Sequence, residues 1–157
     1  HNLILMSRDL LIDFYKSFQL RDYNSMNLMY TENSHFKDPV FELKGKEISA
    51  MWHMLCERGT DLKITFKNVE ADHKTGSVDW IAEYTFSATG RKVRNVVHAE
   101  FEFEHGKVIR HTDHFSFYRW SVQAFGIPGI LLGWTPFLQK KVQRQAAVSL
   151  RSFINKN

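Results

Sequence analysis

Two groups of residues in this chain have the types and spacing to move protons. The first is Asp38 in Phe36-Lys37-Asp38-Pro39-Val40. Pro39 fixes its own backbone torsion and pushes Asp38 into an extended conformation, so a strand ends in a carboxylate held on a defined support. A carboxylate aimed into an apolar domain must be neutral, paired or put to use, which suits a general base. An Asp before Pro also hydrogen-bonds the turn it begins, and that reading stands beside the catalytic one. The second group is His111 and Asp113, two residues apart and therefore on one face of a strand.

In a dry pocket Asp38 and Asp113 would resist ionising and move toward the range useful for proton transfer, with His111 able to donate or shuttle. Alternatively, His111 and Asp113 hydrogen-bond each other and satisfy a polar spot in the core. A third reading is binding without turnover, the polar pair orienting a small hydrophobic molecule among Phe36, Trp80, Tyr84, Phe101 and Phe115. A metal held by Asp38, His111 and Asp113 lacks helical His spacing, so no metal and no cofactor are expected.

The elements that must position these groups are read from periodicity. Leu10, Leu11, Phe14, Tyr15 and Phe18 recur at helical spacing from Ser7 to Leu20, with Ser7 or Asp9 available as cap. Asp22 opens a shorter helix, the Asp38 strand follows, and a third helix after Gly45 carries Ile48, Met51, Trp52 and Leu55 as a core stripe closed by Gly59. The period then changes to two, predicting strands near Leu62 to Asp72, Ser77 to Ser87, Lys92 to Glu104 and Lys107 to Trp120. Helices first and an antiparallel meander afterward indicate an α+β domain, a curved sheet wrapped around helices. At the last hairpin a three-residue loop with a Gly106 bulge would set Phe101 opposite Ile109. That puts Val97, Ala99, Phe101, Phe103, Ile109, His111, Asp113, Phe115 and Phe117 inward, and His98, Glu100, Glu102, Arg110 and His114 outward.

The 157 residues suit one domain. A single cysteine, Cys56, excludes an intrachain disulfide and reads as a buried apolar residue. No apolar run nears the roughly 20 residues that span a bilayer, and His1 to Leu11 lacks a secretory signal, which predicts a cytoplasmic location. The net charge of +4 is concentrated in Lys140, Lys141, Arg144, Arg151 and Lys156, with no acidic residue after position 120. No basic-aromatic motif, zinc finger or phosphate loop accompanies it, so nucleic acid is not an expected partner.

The order helix, helix, Asp-Pro-Val strand, helix, four-strand meander resembles the superfamily of nuclear transport factor 2, ketosteroid isomerase and the SnoaL-like polyketide cyclases. The likeness runs from about residue 7 to 120 and rests on Asp22, Asp38-Pro39-Val40, Gly106-Lys107-Val108 and Asp113-His114-Phe115. It implies a nuclear transport factor 2-like (cystatin-like) cone over residues 1–120, a homodimer, and a ligand between the sheet and the helices. Ketosteroid isomerases use the aspartate of this Asp-Pro-Val position as base, with a tyrosine and a protonated aspartic acid at the oxyanion. Here those two positions fall on Phe14, with Tyr15 about 100° further round the helix, and on Ala99. One such donor is typically worth about 2.7–4 kcal/mol, so their loss argues against efficient steroid isomerisation. Asp113 matches the acid-base aspartate that cyclase-like and epoxide-hydrolase-like relatives carry on the last strand. The Arg and Asp of the epoxide-hydrolase type correspond to Ala82 and Tyr84. The expectation is acid-base isomerisation, cyclisation or hydration of a small hydrophobic molecule, with a non-catalytic binding or assembly module as the alternative.

Residues 121–157 form an extension. An apolar stretch broken by Gly126, Pro128, Gly129 and Gly133 precedes a helix from Pro136 with Leu138, Val142, Ala146, Leu150 and Phe153 on one side. The favoured reading packs that helix on its own domain or a partner subunit rather than on a membrane surface. The apolar stretch would close the pocket, with Trp134 as plug.

Overall fold

The first helix, α1 (Asn2–Gln19), turns Leu11, Phe14, Tyr15 and Phe18 into the core, as their spacing requires. The structure, a computed structural model, describes residues 2–157, with side chains described from Met6 onward. Ser7 lies within α1 and is buried rather than capping it. Asp22 does cap α2 (Tyr23–Asn27), its carboxylate accepting the Ser25 N–H at 3.2 Å. Then come β1 (Tyr30–Lys37), β2 (Glu42–Lys44) and α3 (Lys46–Arg58). At the start of α3, Gly45 has φ +57°, and a Cβ there would stand 2.7 Å from the Glu32 carbonyl oxygen, so the tight entry requires glycine.

Strands β3 (Lys63–Ala71), β4 (Thr75–Phe86), β5 (Arg91–Glu104) and β6 (Lys107–His114) form the antiparallel meander. The six-stranded sheet has the order β2-β1-β6-β5-β4-β3, in which β1 lies parallel to β6. The architecture is α+β, a curved open sheet with α1 and α3 against one face.

The last hairpin differs from its expected register. His105 and Gly106, both at positive φ, make a two-residue turn that pairs Glu104 with Lys107. A bulge at Ile109 then shifts the pairing by one, so Phe101 lies opposite His111 rather than Ile109. The two departures cancel in parity. Val97, Ala99, Phe101, Phe103, His111 and Asp113 are therefore buried, with Val108 taking the inward place assigned to Ile109. The strand also stops at His114 instead of reaching Trp120. Ser116 accepts the Arg119 N–H and starts α4 (Phe117–Phe125). Phe117 is thus a helical residue in a second small core with Val93, Trp120 and Ala124.

After α5 (Ile127–Leu132), α6 (Pro136–Lys156) returns over α3. Leu150 and Phe153 are buried there, with Phe153 edge-on to His53 at 4.8 Å and beneath the Arg58 guanidinium. No helix of the described residues is long and apolar enough to cross a membrane.

Candidate active site

The parallel pairing of β1 with β6 matches Phe36 with His111 and Lys37 with Thr112. One residue further along both strands stand Asp38 and Asp113, and neighbouring strands lie about 4.8 Å apart. Both line a cavity of about 450 Å³, together with Trp52, Trp80, Tyr84 and Phe115. The opposite wall comes from α4 and α6, through Trp120, Phe125, Val142 and Ala146.

Asp38 both makes the turn expected of it and lines the cavity. Its Oδ1 accepts the N–H groups of Val40 at 2.7 Å and Phe41 at 2.6 Å, which is the turn expected of Asp before Pro. Those bonds engage Oδ1 and leave Oδ2 for the cavity. Removal from water raises the carboxyl from 3.8 to about 7, against the lowering effect of the two N–H donors, and the nearby Asp113 charge adds to the rise. The turn is fastened from α6, since Gln139 and Gln143 each donate to the Pro39 carbonyl at 3.0 Å.

Asp113 is buried, and its Oδ1 accepts from Trp80 Nε1 at 3.3 Å and meets His111 Nε2 at 2.9 Å. Behind it the hydrogen bonds run in one direction. The Trp52 indole can only donate, so the Tyr30 oxygen accepts at 3.1 Å and its O–H donates a hydrogen bond to His111 Nδ1 at 2.7 Å. His111 is then protonated on Nε2 and donates to Asp113. Burial pushes the Tyr30 hydroxyl well above its ordinary range, which keeps it a donor.

His111 and Phe101 do not reach the cavity. His111 is fully enclosed by Phe36 at 5.0 Å, Phe101 at 4.3 Å and Phe14 at 6.2 Å between ring centroids. Phe101, expected at the ligand wall, instead covers the imidazole, because α1 and α3, through Phe14 and Trp52, fill the space above that part of the sheet. Trp134 does not plug the opening. It is 74% exposed, its indole donating to the Leu131 carbonyl, and α6 supplies the wall assigned to it. Tyr30 is the residue that sequence reading missed. Stepping back in twos from Asp38 passes Phe36 and Ser34 and reaches Tyr30, but an irregularity before His35 breaks the pattern. Among the described residues no three His, Cys, Asp or Glu side chains gather as a metal ion requires.

A family model described as a SnoaL-like domain matches residues 11–111. The chain belongs to the SnoaL-like domain family. The match takes in Asp38 and His111 and ends two residues short of Asp113. No curated protein matches by sequence. Among solved structures, this SnoaL-like chain resembles a putative polyketide cyclase from Xanthomonas campestris, with TM-score 0.65 and 14% identity over 78% of this chain and 98% of that one. It also resembles an epoxide hydrolase of the LEH-like type from M. tuberculosis, with TM-score 0.60 and 15% identity over 86% and 96% of the two chains. A third is a protein of ketosteroid isomerase-like fold from Catenulispora acidiphila, with TM-score 0.65 and 12% identity over 81% and 97%. At such identities the likeness is one of fold.

Proposed function

We propose that this SnoaL-like domain is an acid-base enzyme acting on a small hydrophobic carbonyl compound, isomerising or cyclising it without a cofactor. The observation that carries the reading is the presence of Asp38 and Asp113 on one apolar cavity, with Asp38 poised near neutral pH. Asp38 in its ionised form removes a proton from the carbon next to the carbonyl, leaving an enolate. Tyr84 can face the developing oxyanion: its oxygen accepts the Trp120 indole N–H at 2.8 Å, so its own proton remains to be donated. That supplies a donor where the positions of Phe14 and Ala99 offer none. Asp38, protonated by that step, returns the proton at the second carbon, while the Asp113 carboxylate, braced by Trp80 and His111, adds the charge that keeps Asp38 basic. His111 and Tyr30 act through Asp113 and are positioning residues.

Mass spectrometry of compounds that copurify with the wild-type chain, followed by incubation of the recovered compound with protein in D2O, tests this. Deuterium gain or a changed product with wild type, and neither with Asp38→Asn, is expected. A compound that stays bound and unaltered by wild type would make the cavity a binding site instead. That alternative draws on Asp38 already satisfying its turn.

A further inference from the structure

We propose that the segment 127–137 and the outward stripe of α6 form a docking surface for an anionic membrane. The segment presents Ile127, Leu131, Trp134 and Phe137 to solvent at 71%, 63%, 74% and 64% exposure, with Ile130 and Leu132 also exposed. Soluble monomers seldom show so many large apolar side chains on consecutive turns. The first turns of α6 continue the surface. On a helical wheel Phe137, Lys140, Lys141, Arg144, Val148 and Arg151 share one side, and all six are exposed. The face of α6 committed to the domain is the opposite one, through Leu150 and Phe153. Packing of α6 on α3 therefore leaves this surface free.

Charge decides what covers it. Residues 121–157 carry five Lys and Arg side chains and no carboxylate, and Arg119 on α4 is exposed as well. A second copy meeting this patch across a twofold axis would set each basic stripe against itself. A partner protein would need a concave, acidic complement to protruding aliphatic tips. A bilayer containing acidic lipid supplies both charge and a fluid apolar phase with no matching shape, and Trp134 has the amphipathic ring suited to the headgroup level. The surface lies outside the carboxylate cavity, so the proposal stands or falls independently of the chemistry proposed there.

The test is co-sedimentation of the full chain with phosphatidylcholine vesicles, with and without phosphatidylserine. Trp52, Trp80 and Trp120 are buried, so a blue shift of tryptophan emission on binding reports Trp134. Expected are pelleting and a blue shift with the acidic vesicles only, both weakened by salt. Lys140→Gln and Arg144→Gln should each weaken binding about fivefold. The double variant Trp134→Ser/Phe137→Ser should lose at least tenfold while melting as wild type does, because both side chains are exposed. Absence of pelleting with acidic vesicles at low salt would overturn the proposal, as would undiminished binding by the double variant. A wild-type dimer that this double variant turns into a monomer would give the patch to a second copy.

Discussion

Asp38 and Asp113 each follow the last pair of one parallel ladder, Lys37 with Thr112, and line the same cavity. A parallel pair sends both strands the same way, so carboxylates at their C-terminal ends emerge side by side. The Asp113 charge then acts on Asp38, adding to the desolvation that raises its carboxyl to about 7.

That shift has a consequence for stability. A carboxyl raised from 3.8 to about 7 on folding binds more protons in the native state between those values, so stability falls as pH rises through that window. Asp38→Asn removes the effect and retains an oxygen for the Val40 and Phe41 N–H groups. Urea unfolding should find Asp38→Asn gaining on wild type by on the order of 3 kcal/mol between about pH 4 and pH 8. A difference that stays constant with pH would contradict a half-buried Asp38 whose carboxyl is raised on folding.

Tyr30 is where the chain of hydrogen bonds behind Asp113 is most exposed to a single change. Tyr30→Phe keeps the ring and its contacts but deprives His111 Nδ1 of its donor and the Trp52 indole of its acceptor. Two buried polar atoms lose their partners, at a cost of about 1–3 kcal/mol in urea or thermal unfolding. Turnover should fall too, since His111 loses the bond that fixes its tautomer. Full activity in Tyr30→Phe would remove His111 from the positioning role.

Gln139 and Gln143 both donate to the Pro39 carbonyl, so either can hold the turn alone. Each single Ala variant should unfold within about 0.5 kcal/mol of wild type, whereas the double variant should lose about 1–2 kcal/mol more than the two singles sum to. Simple additivity would mean that α6 does not brace the Asp38 turn.

The fold was legible because its determinants are local. Helical spacing in α1 and α3, the Asp22 cap, and period-two strands separated by glycine turns each state their own element. The hairpin at Gly106 was misread in detail yet gave the right inner face, because an unsuspected bulge at Ile109 compensated for a loop one residue shorter. The end of β6 was missed because Phe115 and Phe117 continue the apolar alternation, while Ser116, between them, is the cap that starts α4. For the site, Asp38, Asp113, Phe36, Trp80, Tyr84 and Phe115 come to one cavity, but His111 and Phe101 stand behind its wall. Alternation says which face a residue takes. It does not say how far along that face α1 has already filled the space. Trp134 escaped for a related reason: an apolar, glycine-broken stretch looks alike whether it covers a pocket or faces outward.

Titration of the Asp38 carboxyl by carbon-13 NMR, in wild type and in Asp113→Asn, bears most directly on the pairing of these two acids. In wild type the midpoint should lie near the value of about 7, and in Asp113→Asn it should move lower because the neighbouring charge is gone. A catalytic rate that depends on ionised Asp38 would rise with pH through the same midpoint. An ordinary carboxylate midpoint of about 4 in wild type, or no movement in Asp113→Asn, would mean that the two carboxylates do not act on each other across one cavity.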